Sequence, residues 1–475
     1  MDNQEQEVDS TFHSLIEDMK DKLNRPPAPA TEAPPPACLI SWVNEQIREA
    51  KPGEYMPLHV PIGPFHRDPS HWMQHWKRHL LYRALPGAGE QQREQALRRY
   101  LEAMAAVEVR ARRCYDGTFS GIDSEAFACM LLLDGYFVLS CFELAGSNTG
   151  GDAGGHGSQE SRPREFEAYR RDVIFLLENQ VPLFVLEDIH RLVVTYGEND
   201  NSSVVVQGIA SHIEKRLLQL MMLHDTVTYR TVMPNFRGES PCHLLHLLYE
   251  YFRPADRRRR SRSGQPNCSR TAAVAHVAVP VVTKPRWRSA TYYYAAGVRF
   301  AKRKLDGNEV RSILDVDVKD GTLHVPCLMV DANAMTILRN MVALEQHNPG
   351  IGSRHVTAYC FFLSQVASTE EDVRLLSSKG IIEHGLRTDS AVANGFAGLC
   401  TGVALNMTNP DSYLKPIQDD LEVLCQSRWR KSMAWLRHTK CNNILMALAV
   451  LGAVILFVCT VEQSLFAALS YAKGK

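Results

Sequence analysis

EAFACMLLLDGYFVLSCFEL, residues Glu125 to Leu144, is apolar almost throughout and is broken near its middle by Asp134 and Gly135. Taken as a bilayer span, this run makes the chain a multi-pass membrane protein. Taken as an internal helix, it becomes the centre of a globular body. A carboxylate near a bilayer centre costs roughly 2.5 to 3.5 kcal/mol on insertion scales, so the run is read as a central helix of the folded core. The chain has 475 residues, 45% hydrophobic and 22% charged, enough for one large or two ordinary domains around such a helix.

Working outward, Leu97, Leu101, Met104 and Val107 fall at helical spacing between Gln95 and Arg110, with Arg and Glu between them, as an amphipathic surface helix requires. A helix is expected from Phe166 to about Gln180, ended by Val181 and Pro182 because proline lacks the amide hydrogen and clashes with the preceding turn. Helical patterning recurs at His212–His224, Cys242–Phe252, Ala334–Gln346, Ala358–Ala367, Thr369–Ser378 and Leu414–Lys440. Gly146 to Gly157 reads as a glycine-rich surface loop. Ile313–Val318 and Thr322–Pro326 flank Lys319, Asp320 and Gly321, and Asp-Gly supplies the positive φ of a β-hairpin turn.

From Ile444 to Val461 the chain runs for 18 residues without a charge, behind a collar of Arg428, Arg430, Lys431, Arg437 and Lys440. At helical rise this is roughly 27 Å, close to a hydrocarbon core, so a single C-terminal anchor is expected. The collar outweighs Lys473 and Lys475 beyond the run, which favours a cytoplasmic body, and it suits anionic lipid. Met1 to Ala37 is acidic and polar and ends in Pro26, Pro27, Pro29, Pro34, Pro35 and Pro36. It lacks the basic start and apolar stretch of a secretory signal and is expected to be disordered.

Lys+Arg and Asp+Glu both number 53, so net charge gives no whole-chain drive toward nucleic acid. The local exception is Tyr251 to Lys304, with 11 Arg and 3 Lys against Asp256 alone, including Arg257, Arg258, Arg259, Arg260 and Arg262. Ser, Gly and Pro in the same stretch fit a solvated loop, and its functional reading, beside a membrane anchor, is contact with an anionic leaflet. No specific nucleic-acid partner is expected. Twelve cysteines, none in a C-x-x-C pair, fit reduced thiols of a cytosolic protein; sequons at Asn201, Asn267 and Asn406 matter only for a lumenal body.

Few residues carry chemistry. His71, His75 and His79 share a helix face, but the outer pair stands about 12 Å apart, too far to hold one metal ion. Cys242 with His243 and His246 raises a thiol nucleophile, although neighbours on a helix point apart. Glu187 and Asp188 are adjacent rather than facing, so acid and base roles are not assigned. No catalytic residue, cofactor or metal ligand is expected.

Five blocks together resemble DUF247, a plant family: Tyr55–His66 (YMPLHVPIGPFH), Met130–Leu139 (MLLLDGYFVL), Leu176–Leu186 (LLENQVPLFVL), Ile337–Gln346 (ILRNMVALEQ) and Ser368–Ile382 (STEEDVRLLSSKGII). The family-motif positions are Gly63, Pro64, Asp134, Gly135, Glu178, Asn179, Gln180, Pro182, Arg339, Asn340, Glu345 and Gln346. Their expected role is structural; Glu178, Asn179 and Gln180 are read as satisfying backbone groups left open where a helix stops. The resemblance departs at Tyr292, Tyr293 and Tyr294, where an acidic helix start is usual. It implies a single-pass plant membrane protein without established enzymatic activity, and some grass members look like self-incompatibility determinants.

The expectation is therefore a mainly α chain: a helical globular body with a small antiparallel β-hairpin and one C-terminal transmembrane helix. Residues 1–37 form a Pro-rich N-terminus, 38–440 the body with a basic variable insert at 251–290, and 441–472 the anchor. The expected function is recognition or signalling at the membrane, the plasma membrane first among candidates, through an unknown protein or peptide partner. The rival classes are a hydrolase built on Cys242 and a histidine, and a nucleic-acid binder using the arginine run.

Overall fold

The computed structural model describes residues 8–12, 14, 15, 17, 39–85, 89–142, 168–194, 208, 241–254, 286–304, 310, 312–351, 354–404, 412–426, 452, 453 and 455–464. In chain order the elements begin with β1 (Ile40–Ser41), α1 (Glu45–Arg48), α2 (Met73–Ala84), α3 (Glu90–Arg112), β2 (Tyr115–Asp116) and α4 (Ser124–Cys141). A π-helical turn, Arg171–Phe175, precedes α5 (Leu183–Val194), α6 (Leu244–Phe252) and α7 (Ala290–Ala295). Then come β3 (Arg299–Arg303), β4 (Asp317–Lys319), β5 (Thr322–Pro326), β6 (Leu328–Val330), α8 (Ala334–His347), α9 (His355–Val366), α10 (Glu370–Ser378), β7 (Ile382–His384), α11 (Asp389–Ala397) and α12 (Lys415–Gln426). The chain is mainly helical.

Residues 125–141 of the central run lie in α4, capped at its N-terminus by the Asp123 carboxylate, which accepts from the Ala126 amide. It is long and apolar enough to cross a membrane, yet 78% of it is buried inside the body, where α2, α3 and α5 pack around it. Each large apolar side chain so buried stabilises the fold by about 1.5 to 3 kcal/mol. The closest approach is at Gly135, where a Cβ would collide with Ile189 Cδ1 of α5. Helices α8 to α11 form a second group, with α9 against α8 and α11, and α10 against α11. A single apolar cluster runs through both groups.

The hairpin is present and its turn is Asp320-Gly321, both at positive φ (50° and 71°). Val318 pairs with Leu323 across it. The sheet is mixed rather than purely antiparallel, because β3 adds to the other edge of β5 in parallel, with Phe300 opposite Leu323. Two further two-stranded pairs, β1·β2 and β6·β7, are parallel.

Two expectations are corrected. The helix foreseen to Gln180 stops at Phe175, after a π turn, and Leu176 already has extended backbone. The N-terminal stretch foreseen as disordered includes helical residues 8–12, with Val8, Phe12 and Leu15 buried in the core. Their i, i+4, i+7 spacing is an apolar stripe, masked in composition by the acids around it. In the tail the described residues include an apolar helix, Ile455–Ser464, about 15 Å long, and most of the expected span lies outside the described residues.

The expected loop Gly146–Gly157 and helix His212–His224 lie outside the described residues. So do Arg257–Arg260, Arg262, Arg428, Arg430, Lys431, Arg437, Lys440, Asn201, Asn267, Asn406 and residues 444–451.

The tight α4–α5 contact generates a prediction. Gly135→Val inserts three carbons against Ile189 and should destabilise the body by about 1 to 3 kcal/mol, measured as a lower urea midpoint with unchanged slope.

Candidate functional site

The segment Tyr55–His66 is irregular, yet Tyr55, Val60, Pro61, Ile62, Gly63 and Pro64 are buried. A buried backbone outside helix or sheet must find partners elsewhere, and here side chains supply them. The Asp172 carboxylate, on the π turn, accepts from three successive amides through Oδ2: Leu58 at 3.0 Å, His59 at 2.7 Å and Val60 at 3.1 Å. Asn179 accepts from the Ile62 amide at 2.7 Å and donates to the Val60 and Asp172 carbonyls. Asp134, in the middle of α4, accepts from the Gly63 amide at 2.8 Å. Lys77, wholly buried on α2, donates to the Pro61 carbonyl at 2.6 Å and to Asp134 Oδ1 at 2.5 Å.

Gly63 has φ +71°, and a Cβ there would stand 2.7 Å from the Gln180 carbonyl oxygen. The chain can approach this closely only as glycine. Gln180 holds its own turn, donating to the Val173 and Leu176 carbonyls while Oε1 accepts from the Leu245 amide of α6. Pro182 is buried, and its carbonyl accepts from the Val185 amide in the first turn of α5.

The third carboxylate, Glu178, faces the segment that carries β1 and α1. It accepts from the Val43 amide at 2.7 Å, from Arg48 Nη2, and pairs with His66 Nε2 at 2.9 Å. Asn340 of α8 accepts from the Leu177 amide at 2.9 Å and donates to the Glu54 carbonyl at 2.9 Å. Arg339 donates to the Gly398 carbonyl at 2.7 Å and pairs with Glu54 at 2.8 Å. Glu345 accepts from Tyr249 OH and from the Val356 and Thr357 amides, joining α6, α8 and α9. Gln346 is half-buried, with no partner at Nε2 among the described residues.

All twelve motif residues thus sit in the interior or at its edge, and most bind backbone. Asn179 and Gln180 take up the Asp172, Val173 and Leu176 carbonyls where the π turn stops, and Glu178 accepts from the Val43 amide. The three residues fill the crossing between the π turn and α5.

The braced segment shows His59 and two large apolar side chains to solvent. Met56 and Leu58 are 47% and 64% exposed at its start. At its end Phe65 and His66 meet Trp42, with ring centroids 5.7 and 5.6 Å apart, and the Arg48 guanidinium lies over the Trp42 ring at 4.0 Å. The Asn44 amide donates to His347 Nε2 at 3.1 Å, which requires a neutral imidazole. Burial holds the His347 pKa below its usual range, against the pull of Asp116 and Glu178.

The candidate chemistry at other positions is spent on structure. His75 pairs with Asp9 and His71 Nδ1 accepts from the Met73 amide, and no metal-holding cluster occurs among the described residues. His243 caps α6 by accepting from the His246 amide, and His246 Nδ1 accepts from the Cys242 amide. Burial pushes the thiols of Cys114 and Cys129 up to about 11 and those of Cys327 and Cys400 to about 12, which suppresses the thiolate at neutral pH. Burial also raises Glu187, while Asp188 pairs with Arg191.

Sequence reasoning missed Asp172, Lys77, Arg48, His66 and His347. One signal existed: Met73, Lys77 and Leu81 form an i, i+4, i+8 stripe, and a lysine at a core position demands a carboxylate partner.

The DUF247 family of plant proteins of unknown function matches residues 40–459. A UPF0481 protein of Arabidopsis thaliana is 26% identical over 454 residues, covering 92% of this chain and 88% of its own length. A putative UPF0481 protein of the same plant is 23% identical over 474 residues, covering 85% of each. No solved structure matches.

Two predictions follow from the bracing. Lys77→Met leaves Asp134 charged and unpaired and should cost about 3 to 5 kcal/mol; adding Asp134→Asn should return part of that loss, read as a coupling energy in a double-mutant denaturation cycle. For pH, burial also pushes the imidazoles of His243 and His355 down, the latter to about 4. A histidine lowered in the folded state contributes stability that is complete above about pH 6.5 and is lost as pH falls toward its folded value. Burial raises Glu54 and Glu345, which work in the opposite sense. The decisive comparison is therefore His347→Gln, which should show a smaller fall in melting temperature between pH 7.5 and 5.0 than the parent.

Proposed function

Because the chain belongs to the DUF247 family of plant proteins of unknown function, we propose that it is a membrane-anchored recognition or signalling protein, acting by binding a protein or peptide partner rather than by catalysis. The observation that carries this reading is the braced segment: exposed Met56, Leu58 and Trp42 stand on or against a backbone whose amides are fixed by buried side chains. A surface held in one shape loses little entropy on binding, and exposed aromatic and aliphatic side chains flanked by Arg48 and His66 are the composition of an interaction hot spot. The anchor is supported by the tail helix, whose described residues 455–464 all face solvent, with Leu456 and Phe457 each 69% exposed. Apolar side chains in that number gain by entering lipid. The body is cytoplasmic in this proposal, and Cys114, Cys141, Cys327 and Cys360 stand reduced and buried, as suits a reducing compartment.

A photo-crosslinking residue at position 58, in the native plant membrane, should give a discrete adduct that is lost with Trp42→Ala, while the same residue at the exposed position 423 gives none. Equal adducts at both positions contradict the surface. Carbonate-washed membranes should retain the full chain and release a variant lacking residues 444–461; retention of both contradicts the anchor.

A further inference from the structure

Helix α2 has two faces, and they do different work. Its inner face, Met73, Lys77 and Leu81, is buried, with Lys77 reaching Asp134 of α4. Its outer side carries His75 and Arg78, and onto it comes the N-terminal segment. Asp9 pairs with His75 Nδ1 at 2.5 Å and accepts from Arg78 Nη1 at 2.9 Å. Val8, Phe12 and Leu15 turn inward and join the core, Phe12 at 1% exposure, while Ser10, Ser14 and Glu17 face solvent. This is the contact pattern of an amphipathic helix laid in a groove: apolar anchors at i, i+4 and i+7, with one acid meeting a basic rim.

The segment is joined to the body through residues 18–38, which hold six prolines, a composition that serves as a spacer. The next described residue is Leu39, whose amide donates to Asn348 Oδ1 at 2.7 Å. Among the described residues the segment buries three apolar anchors and pairs one acid, while the inner face of α2 is held separately through Lys77 and Asp134.

We infer that the outer side of α2 is a docking groove for an acidic amphipathic helix, filled in the resting chain by its own N-terminal segment, of which Val8, Asp9, Phe12 and Leu15 make the contacts described, as a detachable plug. Through Asp9 the plug is tied to the helix whose Lys77 holds the Pro61 carbonyl of the braced segment, and its departure uncovers the core that Val8, Phe12 and Leu15 join. The inference stands on the contacts of the N-terminal segment alone and is independent of the proposed partner binding.

The test uses the full-length chain in mild detergent, with a protease site inserted between Ala30 and Thr31. After cleavage the N-terminal fragment should co-elute with the body at micromolar concentration. A fluorescein-labelled peptide of residues 1–24 should displace it, seen as a rise in anisotropy. Peptides carrying Phe12→Ala or Asp9→Lys should compete at least tenfold less well, and Arg78→Glu in the body should restore the Asp9→Lys peptide. A fragment that separates at once from a folded body that takes up no labelled peptide overturns the proposal. So does equal competition by native and substituted peptides. Concentration-dependent dimers of the uncut chain that exchange this segment would assign the groove to a second copy and overturn the resting plug.

Discussion

An irregular backbone taken into the interior of a protein must be given hydrogen-bond partners, and residues 58–63 meet that demand almost entirely through side chains from distant parts of the chain. Asp172 lies 112 to 114 positions from the amides it accepts, Asn179 lies 117 from Ile62, and Asp134 lies 71 from Gly63. An unsatisfied buried amide or carbonyl costs about 1 to 3 kcal/mol, so these bonds bind three stretches of sequence into one arrangement. The carboxylates are themselves countered: Asp134 by Lys77, Asp172 by Arg171, Glu178 by Arg48 and His66. Removing one member strands a charge, which is why the cluster acts as a unit.

The same bracing explains why the polar motif residues Asp134, Glu178, Asn179, Gln180, Arg339, Asn340 and Glu345 are interior. Their donors and acceptors point at backbone, and the chain offers to solvent the side chains that the braced backbone happens to carry. Met56 and Leu58 at one end and Phe65, His66 and Trp42 at the other are set by bonds made beneath them. Chemistry is thus separated from display: the charged groups hold shape, and the apolar groups meet the outside.

Much of the fold was legible in the sequence because it rests on periodicity. The central run at 125–144 announced a core helix through the cost of Asp134 in lipid, and burial follows from that. Asp-Gly gave the hairpin turn directly. The parallel partner of β5 was not legible, since β3 is 19 or more residues away and nothing local encodes pairing across that gap. The π turn was missed because Phe166–Gln180 keeps a plausible helical stripe; the demand of residues 58–60 for Asp172 overrides it. The N-terminal helix was missed because its three anchors sit among acids and before prolines, where composition outvotes spacing. At the site, the motif residues were visible as positions and read as structural; of their partners, only Lys77 left a local signal, its place in the Met73, Lys77 and Leu81 stripe, whereas the long-range pairing of Asp172 and Arg48 leaves no trace in one sequence.

The central claim is that residues 58–63 form a fixed surface segment locked from below, and native-state amide hydrogen exchange of the full chain measures this directly. The account predicts that the amides of Leu58, His59, Val60, Ile62 and Gly63 exchange as slowly as those of α4 and that Asp172→Ala releases Leu58, His59 and Val60 while α4 stays protected. Exchange of these five amides at the rate of an open loop in the parent protein would contradict it.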